Sequence, residues 1–204
     1  MSENNIRIND PYTNKARKLK LVARSYFKLE EIDKKFGLFD GSTKTVVDIW
    51  CAPGSWLQYV DLRMQREWRE LDAHLWFDIL PVKVQLQWVN AYQQDITERD
   101  RVAQILADHG ISQKIDCLLS DMAPNTVGMK DIDALRSVGL VEKTLRMHEQ
   151  FEIGCGAIKI FMWPGMDELV KTLQEMYWVK RIQRFKPKSS RKASKELFII
   201  IKPK

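Results

Sequence analysis

At 204 residues, 45% of them hydrophobic, the chain has the material for one domain with its own core. No apolar run reaches the length of a membrane span, and the opening MSENNIRINDPYTNKARKLK is polar and basic where a secretion signal needs an apolar segment. A soluble cytoplasmic protein is therefore expected, and its net charge of +6 points toward a polyanionic partner.

The expected elements begin after a basic N-terminal extension, residues 1–23 of a single domain spanning 1–204. The pattern predicts a helix over 24–36, a strand over 44–49, a helix over 55–71 and a strand over 73–78. A short strand at 88–92, a helix at 97–109 and a strand at 115–120 follow, then a helix at 131–151 and a strand at 156–162. A helix at 166–176 precedes two closing strands, 178–185 and 196–202. Strands alternating with helices mean an α/β sandwich around a mostly parallel sheet, and two strands in succession at the end mean a terminal antiparallel hairpin.

In open α/β sheets ligands bind beyond the carboxyl ends of the strands. Those ends carry Asp48 and the loop to Trp56, then Asp78 in FDILP, Asp95 in QQDI and Asp121 in SDMAPN. One such acid is an ordinary helix cap, but four in one sheet offer hydrogen-bond acceptors to a ligand with hydroxyls and amines. Lys159 stands apart, because AIKIF reads as a buried strand and lysine is rare there unless paired. Cys51, Cys117 and Cys155 are far apart in apolar stretches and read as free buried thiols, so neither zinc nor a disulfide is implied. His74, His109 and His148 show no metal-ligand spacing. Basic residues gather at the two ends, in KARKLKLVARSYFK (15–28) and VKRIQRFKPKSSRKASK (179–195), each interleaved with aromatics, a mixture suited to phosphate contact and base stacking.

The words RSYFKLEEID, VVDI, CAPGSW, FDILP, QQDI, SDMAPNTVG, IKIF and KPKSSRKASKELFII, in this order, resemble the FtsJ-like ribosomal RNA large-subunit 2′-O-ribose methyltransferases. The resemblance runs from about residue 11 to the end. It implies a class I S-adenosylmethionine-dependent methyltransferase fold, Rossmann-like, with a seven-stranded mostly parallel sheet, a C-terminal antiparallel strand and helices on both faces. It implies 2′-O-methylation of a uridine in large-subunit ribosomal RNA, within the large subunit, by a monomer. The family's catalytic set falls on Lys28, Asp121, Lys159 and Glu196, and its cofactor contacts on Gly54, Trp56, Asp78, Asp95 and Asp121. The basic ends then contribute Arg17, Lys18, Lys20, Arg24, Lys188, Arg191 and Lys192 as phosphate contacts.

Methyl transfer to a ribose hydroxyl is an in-line displacement that needs alignment and removal of a proton from a poor nucleophile. Lys159 is the candidate base; a lysine in that role has to be buried or sit beside another cation, and Lys28 is the candidate neighbour. Asp121 and Glu196 would orient the two lysines.

The chain departs from the family pattern at tryptophan. Trp50 stands where the cofactor loop has glycine, Trp76 and Trp88 precede strand words where glycine or a small residue is usual, and Trp163 takes a glycine position after IKIF. Trp68 and Trp178 are candidates for the same set, in a chain with 7 Trp and only 9 Gly. Either the protein is a diverged relative with a partly filled pocket, a non-catalytic RNA-binding or ribosome-assembly protein on the same fold, or its gene uses UGA for glycine and translation wrote tryptophan. The second explanation is preferred, because large-for-small changes fall on backbone-critical sites while the four catalytic positions are intact.

Overall fold

The computed structural model describes residues 10–49, 53–80, 89–122, 139, 142–144, 146–162, 166–177 and 181–203. Trp50, Cys51, Trp88, Trp163 and Trp178, and most of the helix expected at 131–151, lie outside them.

The first helix, α1 (Pro11–Lys18), falls inside the segment expected to be a plain extension. The Asp10 side chain accepts from the Tyr12 amide at 3.1 Å, and Pro11 needs no amide partner in the first turn, so Asp-Pro starts a helix here. Tyr12 packs on Phe27 of α2 (Tyr26–Phe36), with ring centroids 5.5 Å apart. Helix α2 stops at Gly37, whose φ of 64° lets its amide reach the Asp33 carbonyl at 2.7 Å.

Strand β1 (Thr45–Ile49) leads to α3 (Ser55–Arg66), β2 (Ala73–Asp78) and β3 (Asn90–Gln93). Helix α3 is five residues shorter than the expected 55–71. Its end is a Schellman motif: Trp68 N–H donates to Gln65 O at 3.2 Å and Arg69 N–H to Met64 O at 3.1 Å, with Trp68 at φ 54°. The apolar pattern continued past this point, but the backbone turns left-handed and the helix ends.

Helix α4 (Arg99–Asp108), β4 (Lys114–Ser120) and a 3₁₀ turn (Arg146–Glu149) precede β5 (Glu152–Phe161), α5 (Met166–Tyr177), β6 (Ile182–Phe185) and β7 (Glu196–Ile201). Strand β5 opens at Glu152, directly after the helix expected over 131–151 and four residues ahead of the expected strand start at 156. The glycines at 154 and 156 read as punctuation in sequence; in the sheet they lie against β4, where a Cβ on Gly156 would meet Leu118 O at 2.5 Å.

The sheet has seven strands in the order β3-β2-β1-β4-β5-β7-β6. Strands β1 to β5 are parallel, and β7 runs antiparallel between β5 and β6. Side-chain alternation splits the core into two layers. Val47 and Ile49 face Leu106, Ile105, Val170 and Leu173 of α4 and α5, whereas Val46, Leu119, Phe198 and Ile200 face Leu29, Ile32, Trp56 and Tyr59 of α2 and α3. The result is a three-layer α/β/α sandwich. Its strand order reverses at β1, which sends the chain to β2 on one side and receives β4 on the other, placing the crevice for a ligand beyond the carboxyl ends of β1 and β4.

Candidate active site

The loop leaving β1 turns into α3 at Gly54, whose φ of 100° is costly for any residue with a Cβ. The start of α3 is fastened to the start of α2: the Ser25 and Ser55 hydroxyls are hydrogen-bonded, and Trp56 Nε1 donates to Ser25 O at 3.0 Å. Trp56 is fully buried, its ring 5.6 Å from that of Phe198, so its side chain anchors the first turn of α3 in the core.

Beyond β4, Asp121 meets Lys159 of β5, whose Nζ donates to Asp121 Oδ1 at 2.9 Å and to the Asp121 carbonyl at 2.7 Å. Lys28, on α2, lies 2.8 Å from both carboxylate oxygens of Glu196, the first residue of β7. Lys28 and Lys159 are each 7% exposed, a burial that lysine tolerates only when paired.

The register explains why these four residues converge. Lys159 is opposite Phe198 and Phe161 is opposite Glu196 in the antiparallel β5/β7 pair. Ile158 and Ile160 belong to the α4/α5 layer, so Lys159 between them points to the α2/α3 layer together with Phe198 and Glu196. The Phe198 ring is also 5.9 Å from Lys28 Nζ. An antiparallel last strand is what brings its first residue to the carboxyl edge of the parallel ones.

The other strand-end acids sit on the same edge. Asp78 Oδ1 accepts from the Leu80 amide at 2.8 Å, and Asp95 Oδ1 accepts from the Thr97 amide and hydroxyl, both at 2.8 Å. Each acid shapes the turn after its strand. Among the described residues no group of three or more His, Cys, Asp or Glu could hold a metal ion.

The basic ends come together around α2. Arg17, Lys18, Lys20, Lys188, Arg191 and Lys192 are exposed, but Arg24 is paired with Asp10 and donates to the Ser189 carbonyl. Burial and the nearby Arg191 charge lower the Arg24 pKa from its ordinary value. Sequence reasoning missed this cluster, because Arg24 carries no local signal for a partner 165 residues away.

Known proteins share this fold. The family model described as FtsJ-like methyltransferase covers residues 21–204. Curated proteins named ribosomal RNA large subunit methyltransferase E are similar: that of Desulfatibacillum aliphaticivorans is 35% identical over 94% of this chain and 88% of its own. That of Hydrogenovibrio crunogenus is 36% identical over 96% of this chain and 92% of its own. A solved Plasmodium falciparum structure described as a ribosomal RNA methyltransferase superposes with a TM-score of 0.72 at 27% identity, covering 89% of this chain and 97% of that one. The matched span contains both lysine–carboxylate pairs and all seven strands, and the chain belongs to the FtsJ-like methyltransferase family.

Proposed function

We propose that the protein transfers a methyl group from S-adenosylmethionine to the ribose 2′-hydroxyl of a uridine in large-subunit ribosomal RNA, acting as a monomer in the cytoplasm. The observation that carries the reading is the pair of buried ion pairs, Lys28–Glu196 and Lys159–Asp121, side by side beyond the carboxyl ends of the sheet. Membership in a methyltransferase family and relatives named for ribosomal RNA support the donor and the substrate.

The residues present suit this donor. Gly54 turns the chain so that the N-terminus of α3, with its free amides, faces the crevice, a place for a carboxylate. Asp78, Asp95 and Asp121 lie along the same edge for hydroxyls and amines, with exposed Ile79 and Leu80 beside Asp78 for an apolar ring face. When bound, S-adenosylmethionine supplies an electrophilic methyl group.

The protein's own residues then handle the hydroxyl and its proton. Lys159 is the group placed to take the proton of the 2′-hydroxyl as the oxygen attacks, with its Nζ held by the Asp121 carboxylate and carbonyl already within hydrogen-bonding distance. Lys28 stays cationic against Glu196 and orients the attacking oxygen. Exposed Arg17, Lys18, Lys20, Lys188, Arg191 and Lys192 hold phosphates on either side.

The test is Lys159→Ala, assayed for transfer of a labelled methyl group to unmodified large subunits and for S-adenosylmethionine binding by calorimetry. Loss of transfer with cofactor affinity kept is expected. Turnover at the wild-type rate would remove Lys159 as the base.

A further inference from the structure

We propose that Glu31, with Asp10 and Arg24, is a positioning set that locks the basic loop 186–195 onto the helix carrying Lys28, so that the grip on RNA and the reacting groups share one frame. The inference rests on the reading of that loop as an RNA contact. The Glu31 carboxylate spans two successive backbone amides of the loop, Oε2 accepting from Lys188 N–H at 2.6 Å and Oε1 from Ser189 N–H at 2.8 Å. Arg24 donates to the carbonyl of the same Ser189 and pairs with Asp10, whose carboxylate also lies 3.8 Å from Arg191 Nε.

Seven residues further on, Glu196 pairs with Lys28. The stretch 188–196 is therefore fastened to one helix at both ends, three residues apart on α2: Glu31 holds its start and Lys28 its finish. Lys188 and Lys192 both have exposed side chains, and the Lys188 backbone is held by Glu31. A phosphate bound there arrives at a fixed distance from Lys28, and no loop ordering remains to be done on binding.

Glu31→Gln keeps the shape but sets an amide donor against one of the two loop N–H groups. The expected result is a KM for unmodified large-subunit RNA about tenfold higher, the worth of one charge-assisted hydrogen bond. The S-adenosylmethionine affinity stays at the wild-type value, and hydrogen exchange at the amides of Lys188 and Ser189 is faster. A KM and exchange rates equal to wild type would overturn the positioning role. Lys188→Ala with Lys192→Ala, measured in parallel, tests the underlying reading: if this double variant binds RNA normally, the loop is no RNA contact and both statements fall. If it weakens binding while Glu31→Gln does not, only the positioning role falls. Glu31→Ala serves as a second variant, with thermal unfolding confirming that each protein is folded.

An independent observation concerns residue identity, and from it we infer that the cell places glycine at positions 68 and 76, each encoded by UGA. Trp68 occupies the left-handed position of the Schellman motif that ends α3, at φ 54°, with 96% of its surface exposed. A bulky residue there is an outlier, and its side chain gains nothing from packing. Lys20 shows that an unbranched chain is tolerated at such a turn, but Trp76 adds a different anomaly: it is fully buried and its indole N–H finds no partner among the described residues. Trp56, in contrast, has its N–H satisfied and its ring packed near Phe198, as a true tryptophan should.

The test is the gene's nucleotide sequence together with peptide masses of the protein purified from its native cells. UGA codons at 68 and 76, UGG at 56, and peptides lighter by the difference between tryptophan and glycine at each recoded position are expected. UGG codons or tryptophan masses at 68 and 76 would overturn the inference.

Discussion

Single side chains here show how burial acts with and against charge. Lys28 and Lys159 are kept in the interior because each has a carboxylate at hydrogen-bonding distance. His74 has no such help: it is fully enclosed in β2, its Nε2 has no partner among the described residues, and burial drives its pKa down to about 4 from 6.5. The folded state thus prefers the neutral imidazole. Its stabilising contribution is complete above pH 6.5 and is lost as the pH falls through 4, because the unfolded chain binds the proton first. Urea unfolding at pH 7 and pH 4 is expected to show about 3 kcal/mol of this loss from His74 alone, and His74→Leu to remove that part of the pH dependence. An unchanged pH profile in His74→Leu would show that the imidazole is not the group responsible.

Among the elements, α3 depends on its two ends. Gly54 at φ 100° begins the helix at the crevice and Trp68 at φ 54° ends it, so the same left-handed geometry is served once by glycine and once by the bulkiest side chain. Trp68→Gly relieves the strain without removing packing, since the side chain is exposed. A gain of about 1 kcal/mol is expected, partly offset by the freedom glycine adds to the unfolded chain. Thermal unfolding would register it as a rise of roughly 2–4 °C, and a lower melting temperature would contradict the account of this turn. Strand β7 is the other decisive element, because only its antiparallel course sets Glu196 beside Phe161 and within reach of Lys28.

For the whole molecule, a net charge of +6 is less informative than where the charge lies. Residues from both ends of the chain meet around α2, and Arg24 is drawn into holding that junction while Arg191 and Lys192 remain exposed. Arg191→Ala with Lys192→Ala is expected to weaken RNA binding and to lower the slope of log K against log salt by about one unit for each phosphate no longer held. A slope equal to wild type, from binding titrations at several salt concentrations, would place the RNA face elsewhere.

Local order was legible in the residues themselves. The alternation of apolar strands and helices pointed to an α/β sandwich, β2 was read to its observed limits over 73–78, and Lys159 stood out as a charge in a buried strand. The early ending of α3, the start of β5 at Glu152 and the helix Pro11–Lys18 were misjudged where a turn, a cap or a pair of strand glycines outweighed the hydrophobic period. The pairing of Lys28 with Glu196, 168 residues away, and of Glu31 with the amides of Lys188 and Ser189 had no trace in spacing. Sequence determines which segments bury an apolar face and which residue types recur in a family's order. Which distant charges meet was decided by strand order and register, since a buried ion pair exists only where the folded sheet brings both partners to the same edge.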